Sequence, residues 1–366
     1  MTSKGNLDIA IFGAGIAGLM AAITLTARGH RCRVYERSRQ SHEAGMGFIL
    51  VPEVCECLHE AGVEPPGLPL EMYYCRDSAG RILHEEELPR GSQSIRRRDL
   101  IGSLLGALPP SALAFDAELE TLEFDADGNV AAARLSSGQF IAADFYIGAD
   151  GVGSRCRSAL FPEYAIGTCR VQEVVGLVQS DVAVGWAGRD FNKFHGQEGG
   201  LALGLLSVGG ERVIWFLQFD AERFSSPSEI PEDREAFVRR LIADWAGPIP
   251  LLLRETDFTR VHVWRPADAD LLKSFHRGNL VLVGDAAHPL SPFTSQGVAS
   301  GIADAASLAN ALDAVTAGSA TFHQALAGFS NERREKCGPL IEAGRRLTNE
   351  FLEPLDARSL LLPIAQ

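Results

Sequence analysis

The first forty residues constrain the fold more than any other part of the chain. A short, largely apolar run over residues 7–12 meets Gly13, Gly15 and Gly18 in the spacing G-x-G-x-x-G, and residues 19–28 then read as a helix closed by Gly29. Residues 31–35 alternate into a second strand that ends at Glu36. A βαβ unit of about 30 residues therefore opens the protein, and it implies a parallel sheet. Glycines in such a turn permit a tight bend, close approach of a pyrophosphate, and packing of helix on strand. Glu36 lies about 20 residues beyond the turn, where a carboxylate accepts both hydroxyls of an adenosine ribose. The same charge repels a 2′-phosphate, so the tightly bound nucleotide is expected to be FAD or NAD rather than NADP, despite neighbouring Arg37.

The rest of the composition narrows the class. The chain has 366 residues, room for two domains at about 150 residues each. With 46% apolar and 22% charged residues, it matches neither a disordered nor a membrane chain. A net charge of −13 repels phosphate backbones and anionic lipid, so neither nucleic acid nor a membrane is an expected partner. Only Lys4, Lys193, Lys273 and Lys336 are lysines, which makes most cationic sites guanidinium forks. The seven scattered cysteines, with Cys55 and Cys57 nearest each other, fit neither zinc nor redox spacing and read as reduced thiols. No metal is expected. Residues 1–8 lack an export signal, which makes the cytoplasm the expected compartment. The apolar run at residues 360–365 is far shorter than a membrane span and is expected to pack on the protein or on a second subunit, the chain being a monomer or homodimer.

Helical periodicity marks residues 52–61, 99–108, 231–245, 296–315 and 321–351. Short strands between Asp-Gly and Ser-Gly turns over residues 113–149 suggest an antiparallel meander. Residues 168–220, rich in Val, Leu, Trp, Phe and Gly, suggest a separate sheet. Residues 258–264 and 279–283 read as further strands. The expected fold is α/β: a Rossmann-like domain for FAD or NAD, FAD-binding if the later motifs choose between the two, interleaved with a mainly antiparallel β-sheet substrate domain and followed by C-terminal helices. The expected division assigns 1–68, 97–166 and 260–335 to the first, 69–96 and 167–259 to the second, and 336–366 to a C-terminal helical segment.

Two further motifs follow the glycine turn. Tyr146 to Ser154 reads YIGADGVGS and is followed by Arg157. Val283 to Pro289 reads VGDAAHP and runs through Pro292, Gln296 and Gly297 into a helix. Each places a carboxylate on a glycine-relieved turn beyond an apolar strand. With these three motifs in this order, together with Glu36-Arg37, Ala44-Gly45-Met46-Gly47-Phe48 and Arg97-Arg98-Asp99-Leu100, the whole chain resembles the class A flavoprotein aromatic monooxygenases, the para-hydroxybenzoate hydroxylase family.

The resemblance implies one FAD in an extended pose. Gly13, Gly15 and Gly18 would form the fingerprint turn and Glu36, with Arg37 beside it, would hold the adenosine ribose. Arg97 or Arg98 would reach the pyrophosphate. Asp150 would lie near the pyrophosphate with a part in NAD(P)H use, and Gly284 and Asp285 would meet the ribityl chain. Gly47, Pro292, Gly297 and Val298 would border the isoalloxazine, where a helix start near Gly297 favours negative charge. His288 is a candidate base, although a histidine in this motif more often only supports its turn. The family's Gly-Gln-Gly followed by Asn reads here Ser295-Gln296-Gly297-Val298-Ala299. No second glycine fingerprint exists, so the nicotinamide nucleotide has no Rossmann domain of its own, and the resemblance implies that NADH or NADPH visits the flavin transiently.

On the substrate side, Trp186, Phe191, Phe194, His195, Trp215, Phe216, Gln218 and Phe219 have the composition of a pocket for a planar ligand and equally of a core. Alternation separates Trp215, Leu217 and Phe219 from Phe216 and Gln218, and leaves open which set faces the ligand. Trp215, Gln218 and Phe293 are the candidate substrate contacts. His195 is weighed both as a base for a phenol and as a packing residue. The implied activity is NAD(P)H-driven hydroxylation of an aromatic or heteroaromatic small molecule, with O2 adding at flavin C4a as a hydroperoxide. The alternatives are a related reductase or dehydrogenase without oxygen insertion, acting on a prenyl, polyketide or aromatic substrate, and a non-catalytic nucleotide sensor. A flavin halogenase is set aside because no W-x-W-x-I-P segment and no suitably placed lysine is evident.

Overall fold

The computed structural model describes residues 5–39 and 47–355. Its first sheet runs in the spatial order His276–Arg277, Leu280–Leu282, Phe145–Gly148, Asp8–Phe12, Arg31–Tyr35, Leu113–Ala114. All neighbours are parallel except the edge pair His276–Arg277 with Leu280–Leu282. Ile9 to Phe12 and all of Phe145–Gly148 are buried, as expected for strands covered on both faces. The helix Ile16–Ala27 starts at Gly15 without a side-chain cap and packs against the long helix Gly297–Thr316. That helix in turn packs on Phe322–Leu352, whose start is fixed by a capping box between Thr321 and Gln324.

The glycine turn is tight for a steric reason. Gly13 has φ +108°, and a Cβ there would lie 2.3 Å from the Ala149 carbonyl oxygen. A Cβ on Gly18 would lie 2.1 Å from the Gly13 carbonyl oxygen, so the helix seats on the turn only without a side chain. Gly18→Ala is expected to lower stability by about 1–3 kcal/mol in denaturant unfolding of the apoprotein. An unchanged midpoint would contradict this packing.

The second sheet has seven strands in the order His262–Trp264, Val171–Gln179, Arg212–Asp220, Leu201–Ser207, Asp190–His195, Met72–Asp77, Ile82–Glu87. It is antiparallel except between Asp190–His195 and Met72–Asp77. One face, with Trp215, Leu217, Phe219, Val174 and Phe194, forms a core with residues of the helices Asp181–Ala187, Pro231–Ile242 and Ile249–Glu255. The opposite face looks toward the first sheet's strand ends.

Three features differ from the sequence reading. The meander is confined to Leu119–Phe124, Val130–Leu135 and Phe140–Ile141, because Phe145–Gly148 and Leu113–Ala114 are parallel members of the first sheet. His262–Trp264 joins the second sheet beside Val171–Gln179, although it was grouped with the first domain, and Phe258–Arg260 before it is a 3₁₀ turn. The helix Phe322–Leu352 runs through the boundary drawn at residue 336. The parts of the expected segments at residues 44–46 and 360–365 lie outside the described residues. All seven cysteines are free thiols. Among the described residues, no helix is long and apolar enough to cross a membrane.

Candidate flavin and substrate site

The three motifs meet because their strands are neighbours in register. Phe12 stands opposite Gly148, and Gly148 opposite Leu282. Each strand ends at the same level, and the chain then turns at Gly13, at Ala149-Asp150-Gly151, and at Val283-Gly284-Asp285. Backbone bonds carry the ladder past the ends, from Ala149 N to Phe12 O at 2.8 Å and from Val283 N to Gly148 O at 3.0 Å. This is the carboxyl edge of a parallel sheet, where α/β proteins bind ligands.

Two adjoining cavities open there, about 280 Å³ and 170 Å³, and both are lined by Gly15, Arg97, Ala149 and Gly151. The smaller also takes in Gly13, Glu36, Arg37 and Asp150. The larger takes in Gly47, Gly284, Asp285, Pro292, Phe293, Gly297, Val298 and Gln218. A continuous trench thus runs from Glu36 past the fingerprint turn to the start of the helix Gly297–Thr316. Arg98 lines neither cavity, and Gly18 serves the turn from behind.

The trench fits an extended dinucleotide with a flavin at its far end. Glu36 Oε2 accepts from Ala14 N at 2.8 Å and Oε1 from Ser38 N at 2.9 Å, which pins the carboxylate, an acceptor-only group suited to a diol, in the lining of the smaller cavity. A Cβ on Gly15 would meet nothing nearer than the Arg97 guanidinium at 4.0 Å, so the backbone presents an open cradle at the uncapped start of a helix. The helix from Gly297 likewise has no side-chain cap and has open space at Gly297, so its first N–H groups and positive dipole end face the larger cavity. Ser295 just before it has φ +53°, a left-handed conformation that glycine adopts without strain. Asp285 is exposed to this cavity. The surrounding protein raises its carboxyl pKa against the opposing charges of His288, Arg97 and Arg157.

Asp150 caps its own turn. Its carboxylate accepts from Ser154 Oγ and from the backbone N of Arg155 and Cys156. Arg157 braces two motifs together, donating to the carbonyls of Val152, Asp285 and Ala286. The sequence reading gave it no role, although an arginine two turns after a motif carboxylate was the available signal.

His288 does not reach either cavity. It is buried behind the Gly284 turn, with Nε2 donating to Asp304 Oδ2 at 2.7 Å. Asp304 also accepts from Gly284 N at 2.7 Å and from Arg333 Nε at 2.6 Å. Burial opposes protonation of His288, but Asp304 outweighs it and raises the imidazole to about 10. Burial also pushes the Asp304 carboxyl up, and His288, Arg333 and Gly284 N–H outweigh that and hold it low. His288 is therefore an ion-pair partner that supports its turn, and the candidate role of catalytic base does not fit its place. Cys337 completes a trio within 4.8 Å that has metal-ligand chemistry, yet both carboxylate oxygens of Asp304 are engaged and Arg333 supplies the positive charge.

The second sheet resolves the alternation. Gln218, Phe216 and Phe191 line the larger cavity, whereas Trp215 faces the helices. Its indole covers Gly176 and donates to Thr256 Oγ1 at 3.0 Å, so the expected substrate contact at Trp215 is a core residue. His195 shares the cavity-side face without lining the cavity. Burial, with the charge of Lys193 beside it, holds its pKa well below the usual range, which leaves it a packing residue. Two lining groups were missed altogether: Glu173 and Lys193. A lysine is thus placed in the cavity wall, contrary to the reading that none of the four was suitably located.

Comparison with known proteins agrees with this geometry. The family described as "FAD binding domain" matches residues 6–73 and 91–341. The chain is 32% identical to 6-hydroxynicotinate 3-monooxygenase of Pseudomonas fluorescens, over 84% of this chain and 83% of that protein. It is 30% identical to 3-amino-4-hydroxybenzoate 2-monooxygenase PtnB3 of Streptomyces platensis, over 84% and 79%. The crystal structure of Klebsiella pneumoniae HpxO complexed with FAD and uric acid shares the fold, with a TM-score of 0.83 at 24% identity over 93% of this chain and 88% of that one. A parallel sheet whose three strand-end turns line one trench, together with these matches over most of its length, makes the chain a member of the FAD-binding-domain family of class A flavoprotein monooxygenases.

Proposed function

We propose that the chain hydroxylates a small aromatic or heteroaromatic molecule, using O2 and electrons from NADH or NADPH. The observation that carries this reading is the junction of the two halves of the molecule: one cavity is bounded on one side by the strand-end turns and on the other by the largely apolar face of the second sheet. When bound, FAD supplies the electron storage and oxygen activation that side chains lack. The relatives' substrates, a hydroxynicotinate and an aminohydroxybenzoate, support a planar hydroxylated ring as the ligand.

In this reading Glu36 accepts the adenosine ribose hydroxyls. Gly13 and Gly15 bring backbone N–H groups to the pyrophosphate, and Arg97 neutralises it. Asp285 meets the ribityl hydroxyls, while Gly297 and Val298 direct the helix start at the ring edge and stabilise negative charge there. Val175, Phe191, Leu206, Ile214 and Phe216 exclude water from the reacting face, and Pro292 and Phe293 close the cavity from the loop side. The division of labour between a cofactor-binding part and a sheet that holds substrate follows. The chain acts in this reading as a monomer or a homodimer.

The test is an absorption spectrum of the purified protein, followed by NADH or NADPH under air with a panel of phenols and N-heteroaromatics. Flavin bands and nicotinamide oxidation accelerated by an aromatic compound are expected. Flavin that is reduced while no product gains an oxygen atom would favour the reductase alternative.

A further inference from the structure

Glu173 and Lys193 sit on the same face of the second sheet, three strands apart. Glu173 pairs across with Gln218, and Lys193 stands opposite Gly204, with Phe216 between on the intervening strand. Both side chains are 4% exposed, and both line the larger cavity. Among the described residues neither has an ion-pair partner. The Lys193 ammonium instead lies over the rings of Phe293 at 5.4 Å and Phe351 at 5.7 Å. One Glu173 oxygen accepts from Gln218 Nε2 at 2.8 Å, which aims the carboxyl and leaves the other oxygen free to accept.

Buried charges of this kind are costly unless something pairs with them. Burial lowers Lys193 to about 8, against the pull of Cys75 and Glu173. It raises Glu173 to about 7, against Gln218 and Lys193. Between them the floor is apolar. Arg97 is the other cation of this cavity, and it is shared with the nucleotide end.

We infer that Lys193 and Glu173 are the two recognition points of the substrate cavity, and that the substrate is a planar aromatic ring with an anionic substituent for Lys193 and a hydrogen-bond donor for Glu173. This rests on the proposed function above. A carboxylate at the Lys193 end restores charge balance to a desolvated ammonium. A ring hydroxyl, amino group or ring N–H at the other end gives the Glu173 oxygen its missing donor. The two contacts set the ring's orientation along the sheet, and with it the ring carbon presented to the cofactor side.

The experiment uses the FAD-loaded protein and reads ligand affinity from the change in flavin absorption. The probes are two pairs differing by one carboxylate: 4-hydroxybenzoate with phenol, and 6-hydroxynicotinate with 2-hydroxypyridine. The unaltered protein is expected to bind the carboxylated member of at least one pair about tenfold more tightly or better. Lys193→Met, and equally Lys193→Gln, erases that preference while flavin content stays normal. Glu173→Gln weakens both members by about tenfold and preserves the preference. The inference is overturned if Lys193→Met keeps the preference, if flavin content falls with it, or if neither pair binds or discriminates. Failure of the functional reading is seen separately, as flavin in the unaltered protein that neither NADH nor NADPH reduces.

Discussion

Glu36→Arg is expected to yield a folded chain that purifies without flavin. The carboxylate holds two backbone donors, Ala14 N and Ser38 N, and in the proposed site it also accepts the ribose diol. Arginine has no acceptor to offer, so the turn loses its pins and the diol meets donors only. Losing two charge-assisted hydrogen bonds, at about 1.5–3 kcal/mol each, weakens FAD at least about a hundredfold. Flavin content and an FAD titration of the apoprotein read this directly, with circular dichroism confirming the fold. Asp285→Ala is expected to lower retention less, since it removes contacts to one flexible chain. Normal flavin content in Glu36→Arg would displace the nucleotide from this trench.

Asp304→Asn is expected to destabilise the protein by about 3–5 kcal/mol, the usual effect of removing one partner from a buried ion pair. Asp304 is fully buried and serves His288, Arg333 and Gly284 N, so neutralising it strands two positive charges. The pH dependence has a definite sign. The His288 pKa is raised on folding, so its contribution is complete below about 6.5, the unfolded value, and is lost as pH rises through about 10. The Asp304 carboxyl is held low, so its contribution is present above about 3.9 and is lost on acidification below that. Denaturant unfolding across pH should show a plateau between these limits in the unaltered protein, flattened in the variant. A variant as stable as the parent at neutral pH would mean that the network is not the brace of the Gly284 turn.

The cofactor half was legible because its signals are local. Each of the three motifs marks the end of one strand, and a glycine beside a carboxylate describes a turn whatever the neighbours are. The parallel strand Phe145–Gly148, four buried residues in a row, also carried its signal, yet it was read as part of a meander because strand periodicity does not reveal which strand lies alongside. The substrate half was less legible. Whether Trp215 or Gln218 faces the ligand depends on which face the helices Asp181–Ala187, Pro231–Ile242 and Ile249–Glu255 cover, and nothing within Arg212–Asp220 states that. Lys193 sits in Asp190–His195, whose polar residues suggest an exposed strand. Leu201–Ser207 and Met72–Asp77 make the strand an interior one, and Phe293 and Phe351, distant in sequence, cover the ammonium on its face. The partner that fixes His288 was not legible, because Asp304 comes from the helix Gly297–Thr316, outside the motif that carries the imidazole.

Oxygen insertion is the central claim, and isotope labelling tests it most directly. The FAD-loaded protein is supplied with NADH or NADPH and an aromatic that accelerates nicotinamide oxidation, under ¹⁸O2 in unlabelled water, and the product is weighed by mass spectrometry. The expected result is a product heavier than the substrate by one oxygen atom, with that atom carrying the label. A product without added oxygen, or with oxygen drawn from water, would contradict the monooxygenase assignment.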